Sequence, residues 1–475
     1  MLYGKREAEG MIYSGITVRG SKNHGKTRKT IRKILLVVGL LCVSLGFFLT
    51  AVILQPIALS EQELFVENAL QTEAALDYIS VEQSGPAFVK DNVPVKDTDL
   101  VILDPGHGGW DEGCDREGIL EKEINLQIVL ALETRLKEKG FEVLLTRSDD
   151  SYVSLEERIM LANSSGADVF VSIHQNAYEG EEACGLETWV AGEDDIRLGR
   201  LLHNYSVAAT DAKDRGLQEN GEDLMVLRES KIPACLVETG FLSNDVERDL
   251  LTDPGYQQKL VEGLAEGIDL YFHPKTMYLT FDDGPSAEHT ETILDILKEK
   301  NVKATFFVIG ENVRKYPETA LRIAQEGHTI GIHCDNHDYD VIYESTDSFL
   351  EDFYKAYDTV YEVTGIEAEL FRFPGGSINA YNKEVYEEII SEMTELGFVY
   401  FDWNASLEDA VKKKQKSSPE QLLKNAKEST LNRKKVVMLA HDTVENTALI
   451  LEDLLEAFPE YRLEALMPEV KPVQF

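Results

Sequence analysis

The chain reads as an α/β protein: an N-terminal transmembrane helix, then an α/β region with helices around a mixed sheet, then a second, barrel-like α/β region. Three observations predict this. An uncharged run of 21 residues extends from Ile34 to Leu54. Near Leu100 the chain begins to alternate short β-branched strands with helical stripes, the pattern of a sheet covered by helices. The alternation resumes beyond His273-Pro274-Lys275, a junction too short for much independent swinging.

The N-terminal segments follow from charge. Lys22, Lys26, Arg28, Lys29, Arg32 and Lys33 crowd before the apolar run. At ~1.5 Å per residue that run covers about 30 Å, one hydrocarbon core. The basic flank predicts a cytoplasmic tail at 1–33, a span at 34–54, an acidic stalk at 55–97 and the rest of the chain outside the cell. A cleaved signal peptide is the rival, against which stand the length of the run and the lack of a small-x-small site over 55–59. The net charge of −38 excludes nucleic acid as a partner and an anionic membrane face for the folded part. Five cysteines make no disulfide scaffold; Cys114 and Cys184 are available as a pair, which the sequence leaves undecided.

In the first α/β region, Val101–Leu103 reads as a strand and 121–138 as a helix with Ile124, Ile128, Val129, Leu132 and Leu136 on one face. Strands follow at Phe141–Leu145, Val169–Ile173, Leu186–Val190 and Ala234–Val237, with a helix through Leu155, Ile159 and Ala162 and another over 256–271. Four polar groups fall at strand ends or helix starts, where such a sheet places its crevice: His107 in Asp104-Pro105-Gly106-His107-Gly108-Gly109, Glu121, His174 and Glu238. Two histidines and a carboxylate form a zinc ligand set with room for water, and a second carboxylate can serve as its base.

With DPGHGG, EKEINL, LLTRSDD, LEERIMLAN, SIHQNA and VETGFLSN in order, residues 98–272 resemble the zinc-dependent N-acetylmuramoyl-L-alanine amidases. The resemblance implies that His107, Glu121 and His174 hold zinc and that Glu238 is the catalytic acid/base. It places Arg147, Arg158 and Asn163 in the same pattern, as structural or cleft-side residues. The implied substrate is peptidoglycan, cut between the muramic lactyl group and L-alanine. Gln175 stands where small residues are common.

In the second region, the stretch Tyr278–Pro285 delivers two adjacent carboxylates, Asp282 and Asp283, from a strand into a Gly-Pro turn. Their mutual repulsion calls for a cation or metal nearby. His333 and His337 are four apart, which on a helical turn places both imidazoles on one face. Further helices pass through Ile293, Ile296 and Leu297, over 317–325, through Val385, Ile389, Met393 and Leu396, and over Leu449–Phe458. Strands are predicted at Ala304–Ile309, Phe398–Phe401 and Val436–Leu439.

TFDDGP, HCDNH, RFPGG, DW and LAH occur in order, and residues 276–467 resemble the NodB-like polysaccharide deacetylases, carbohydrate esterase family 4. The resemblance implies a distorted (β/α) barrel and a divalent metal, usually zinc, on Asp283, His333 and His337. Asp282 is then the base, positioned by Arg372. His441 is the acid, oriented and kept protonated by Asp402. Gly375 stands near the oxyanion, and Trp403 and Leu439 line the acetyl slot. Gly375 replaces a common tyrosine, and Cys334 lies between the two histidines, where packing is the expected role. A basic run, Lys412–Lys416, lies between motif-bearing strands, either as a solvated face or as a contact to anionic wall polymer.

The leading expectation is a membrane-anchored, bifunctional cell-wall hydrolase. Two others stay open: one domain catalytic with the other a glycan-binding module, or a deacetylase for a glycan other than peptidoglycan. Whether glucosamine or muramic acid loses its acetyl group is also open.

Overall fold

The computed structural model describes residues 98–410 and 417–475. The predicted tail, span and stalk, and the run Lys412–Lys416, lie outside them. Among the described residues no helix is long and apolar enough to cross a membrane. The longest helices carry charge along one face; Pro254–Phe272, for example, bears Lys259, Glu262, Glu266 and Asp269. The single-pass anchor, the membrane as a partner and the extracellular placement that rested on it are therefore corrected and not carried further.

The first sheet is built from β1 (Leu100–Pro105), β4 (Glu142–Leu145), β5 (Val169–Asn176), β6 (Leu186–Trp189), β7 (Asp214–Gln218) and β8 (Ala234–Phe241), with the small hairpin β2 (Asp115–Arg116) and β3 (Ile119–Leu120) beside it. Its order is β4-β1-β5-β8-β6-β7, and only β6 against β8 is antiparallel. Side chains alternate between two helical layers. Val101 and Leu103 face the stripe Ile124, Ile128, Val129, Leu132 and Leu136 of helix Glu121–Lys139. Leu100 and Ile102 face Ala162 and Phe170 on the other side. The mixed α/β sheet is as expected; β7 and the helix Glu193–Thr210, whose pattern is interrupted by charge, were not foreseen.

The second sheet contains β9 (Lys275–Asp282), β10 (Thr305–Ile309), β11 (Thr329–Cys334), β12 (Leu370–Phe371), β13 (Val399–Tyr400), β14 (Ala405–Ser406), β15 (Lys435–His441) and β16 (Tyr461–Glu464). The order is β13-β12-β11-β10-β9-β15-β14, all parallel. β16 pairs with the first half of β9, Lys275–Tyr278, and β10 with its second half, Thr280–Asp282. The distorted barrel is corrected to a curled half-barrel: the edge strands β13 and β14 are two residues long and do not pair with each other. Closure needs a continuous ladder, which such short edges cannot supply. The inner face is filled instead by Tyr278, Phe307, Leu370, Phe401 and Val437, with Leu466, Val470 and Val473 of the last segment packed against them. The outer face packs Leu279, Phe281, Phe306, Val308 and Met438 against helices.

The described residues, 98–410 and 417–475, belong to one compact unit. Arg197 joins the two sheets' helical layers: it donates to Leu270 O (3.0 Å), Tyr271 O (2.9 Å) and Pro459 O (3.0 Å). Arg200 adds an ion pair to Glu456 at 2.9 Å.

Two candidate metal centres

The first centre sits beyond the C-terminal ends of β1, β5 and β8. Asp104, buried at the end of β1, accepts from Thr146 Oγ1 (2.6 Å), Ser172 Oγ (2.7 Å) and Arg158. Arg158 also donates to Pro105 O (2.9 Å) and His107 O (2.7 Å), and Arg147 to Pro105 O (3.0 Å), Gly106 O (2.9 Å) and Lys122 O (2.9 Å). These two buried arginines pin the glycine-rich loop. They hold His107 in a left-handed conformation (φ 61°), a strained state that a ligand loop can store. Gly106 has no substitute there, because a Cβ would fall 2.2 Å from His174 Cε1. Asn163 plays a structural part, bonding Glu229 O and Lys231 N at 2.9 and 2.8 Å.

Glu121 lies at the centre of the cluster. His107 Nε2 is 3.2 Å and His174 Nδ1 2.9 Å from Glu121 Oε1, and the ligand atoms of all three residues lie within 4.8 Å of one another. Burial would raise the Glu121 carboxyl, but hydrogen bonds from His107 and His174 hold it well below the usual carboxylate range. His107 is fixed from behind by Asp111, whose Oδ2 accepts from Nδ1 at 2.9 Å. Such a partner sets a ligand's tautomer and orientation.

Glu238 stands beside the cluster, in register with His174 on β5 and with Glu187 on β6. Its Oε2 is buried without a hydrogen-bond partner. Burial, against the opposing charge of His174, pushes its carboxyl up to about 7. Glu187 is held by Arg215 and Asn176, each at 2.7 Å. Asp111 and Glu187 were not singled out in the sequence; the first is four residues past His107 in the same loop, while the second is visible only through the antiparallel pairing of β6.

The second centre forms at the C-terminal ends of β9, β11, β12 and β15. His333 is the next-to-last residue of β11 and His337 lies in the loop beyond it (φ 53°), so the predicted helical turn is corrected to a strand end followed by a left-handed bend. His333 Nδ1 donates to Arg372 O at 2.9 Å, aiming Nε2 at Asp283. His333 Nε2 and His337 Nε2 lie 3.5 and 3.4 Å from Asp283 Oδ1, which is buried without a hydrogen-bond partner. Ligand bonds of ~2.1 Å in a tetrahedron place ligand atoms about 3.4 Å apart, so the spacing fits donors to one ion. Burial lowers the His333 imidazole, favouring the neutral form that a ligand must have. Cys334 is buried in the core cluster, outside this donor set.

Asp282 is gripped by Arg372, fully buried, through Nη1 at 2.8 Å. The same guanidinium donates to Thr280 Oγ1 (2.7 Å), Phe401 O (2.8 Å) and Asp402 O (3.1 Å) and lies 4.3 Å from the centroid of the Phe307 ring. His441 is adjacent to Asp282 in the β15–β9 register. Its partner is not Asp402. The Asp402 carboxylate accepts from Ser377 N (2.8 Å), Ser377 Oγ (2.6 Å) and Phe475 N (2.8 Å) and makes no contact with His441. His441 Nδ1 donates instead to Asp409 Oδ1 at 2.7 Å, and its backbone N–H to Asp409 Oδ2 at 2.8 Å. Burial would lower the imidazole, but Asp409 overcomes it and raises His441 to about 9. The expected orienting role thus falls to a carboxylate seven residues further on.

A cavity of about 670 Å³ collects Asp282, Asp283, His333, His337 and His441 with Gly375, Trp403 and Leu439, and adds Tyr339 and Tyr381. Every predicted residue of this site except the two buried partners, Arg372 and Asp402, lines it.

Each centre therefore sets two histidines and one carboxylate, a donor set suited to a divalent ion, beside a separate carboxylate. This is the arrangement of a metal-dependent hydrolase, present here twice. Residues 101–269 match the family of N-acetylmuramoyl-L-alanine amidases and 270–394 that of polysaccharide deacetylases. The sporulation-specific N-acetylmuramoyl-L-alanine amidase of Bacillus subtilis is 38% identical over 180 residues, 37% of this chain and 69% of that protein. The uncharacterized protein YqiI of the same organism is 38% identical over 176 residues, 36% of this chain and 84% of that one. A crystal structure of the catalytic domain of a peptidoglycan N-acetylglucosamine deacetylase from Eubacterium rectale shares 33% identity over 42% of this chain and 92% of its own, with a TM-score of 0.40. The chain belongs to the N-acetylmuramoyl-L-alanine amidase family, with a polysaccharide deacetylase domain following the amidase domain. It is a hydrolase with two activities, one on the N-acetylmuramoyl-L-alanine amide bond and one on glycan N-acetyl groups.

Proposed function

We propose that residues 98–272 and 276–467 are two zinc amide hydrolases working on one polymer, peptidoglycan. The first releases stem peptides and the second deacetylates the sugars. The observation that carries this reading is that each triad has its own complete proton-handling group, Glu238 in one and Asp282 with His441 in the other.

His107, Glu121 and His174 would hold one ion and Asp283, His333 and His337 the other. When bound, such an ion polarises the scissile carbonyl and acidifies water. In the amidase, Glu238 takes the proton of the attacking water and returns it to the leaving amine of L-alanine. A carboxyl raised to about 7 suits both transfers. In the deacetylase the two transfers are divided. Asp282, held in place by Arg372, takes the proton. His441, kept protonated by Asp409, gives one to the sugar amine from Nε2. Trp403, Leu439 and Gly375 line the cavity; the first two would bound the slot for the acetyl methyl, and a backbone N–H at Gly375 would serve the developing oxyanion.

The test is the full chain on defined peptidoglycan, with products read by mass spectrometry. Wild type should release stem peptides and lose acetyl groups, Glu238→Ala should lose only the first activity, and Asp282→Asn only the second. Loss of both products in either variant, or acetyl groups retained by wild type, would count against the proposal.

A further inference from the structure

The largest apolar side chain left in water near either centre is Trp110, 76% exposed. It stacks on Tyr152, 42% exposed, with ring centroids 4.4 Å apart and planes at 28°. Stacking covers one face of the indole and leaves the other bare. Exposed aromatic surface of this kind marks a binding site when it is held rigid and adjoins a functional centre.

Both conditions are met. Backbone bonds between Gly108 and Asp111 (2.9 and 3.2 Å) fold the chain back so that Trp110 projects from the bend. Gly109 N donates to Asp150 Oδ1 at 2.9 Å, and Lys122 Nζ ties Gly109 O (2.7 Å) to Asp150 Oδ2 (2.9 Å). The loops bearing the two rings are thus bolted together. Gly109 (φ +60°) allows their approach, since a Cβ would fall 2.8 Å from Tyr152 N. The residue after Trp110 is Asp111, which bonds His107 directly. The platform therefore lies one residue from the group that orients a metal ligand.

We infer that Trp110 and Tyr152 form a sugar-stacking platform at the mouth of the amidase centre, taking the neutral pyranose next to the muramic residue whose amide is cut. The C–H face of a pyranose matches a bare indole face. The adjacent charges are already paired, Asp111 with His107 and Asp150 with Lys122, so the platform offers stacking rather than an ion pair and an uncharged ring fits. This inference rests on the amidase reading for its location, but binding tests it separately.

Amidase KM on glycan strands several disaccharides long should rise about tenfold in Trp110→Ala, with kcat within about twofold of wild type. A single N-acetylmuramoyl-peptide should show no change, and Trp110→Tyr should recover most of the effect. In a full-length Trp189→Phe, Trp403→Phe variant, the emission of the remaining tryptophan should shift to the blue and saturate on titration with an N-acetylglucosamine oligomer. An unchanged KM on long strands, an equal rise on the minimal substrate, or emission that ignores the oligomer and responds only to a protein would each overturn the inference. If wild type releases no stem peptide while the emission still responds, the amidase reading fails and the platform stands.

Discussion

The two centres use matching donor sets and tune their proton carriers in opposite ways. Glu238 has no cationic partner at hydrogen-bond distance; burial raises it to about 7, and one residue serves as both base and acid. In the deacetylase neither proton carrier is left to burial alone. Arg372 holds Asp282 and Asp409 holds His441, so base and acid are separate groups fixed by separate ion pairs. A single carboxyl that must both accept and donate works best near the working pH. Two dedicated groups are free of that double demand.

The largest expected effect separates the halves. Glu238→Gln should lower amidase kcat by roughly a thousandfold and leave deacetylation unchanged, as read from product release on the same peptidoglycan. Next is the buried ion pair. Arg372→Leu strands Asp282 without a partner and should cost about 3–5 kcal/mol of stability, seen as a lower melting temperature. Glu238 has no such partner, its Oε2 being buried without a hydrogen bond, so Glu238→Gln should leave the melting temperature the same or higher.

The third effect is in pH. His441 is the acid in its protonated form, which prevails below about 9 and is lost as pH rises through it, so deacetylation should fall on the alkaline side. Asp409→Asn removes the raising partner while burial still lowers the imidazole. The limb should move down by more than one pH unit and kcat should fall about tenfold. Asp402→Asn should leave the limb in place. Glu238 acts as base in its ionised form, lost as pH falls through about 7 or lower once a cation is bound, so amidase activity should fall on the acid side. The smallest effect is Asp111→Asn, which loosens His107 and should weaken metal affinity at the first centre about tenfold, measured by competition with a chelator.

The strands and most of the amphipathic helices were legible because period and composition agree, as in Val101–Leu103 and the stripe from Ile124 to Leu136. The triads were legible because their residues lie at strand ends or in short glycine-rich strings. Partners that meet only through tertiary packing were not. Asp409 lies on no recognisable string and reaches His441 across 32 positions, while Asp402, beside the conspicuous Trp403, is spent on Ser377 and Phe475. Four-residue spacing suggested a helix for His333 and His337, but the same spacing is reached by a strand end and one left-handed residue. The half-barrel was not legible either, since alternation predicts strands without saying whether the last edges meet. The apolar run at 34–54 has the composition of a span, but no described helix crosses a membrane.

Metal content per full-length chain, measured by inductively coupled plasma mass spectrometry after exhaustive dialysis against metal-free buffer, tests the central claim most directly. Two divalent ions per chain are expected, falling to one in His174→Ala with deacetylation intact and to one in His337→Ala with amidase activity intact. A wild-type content of one ion or none, or the loss of both ions from either single variant, would contradict two independent centres.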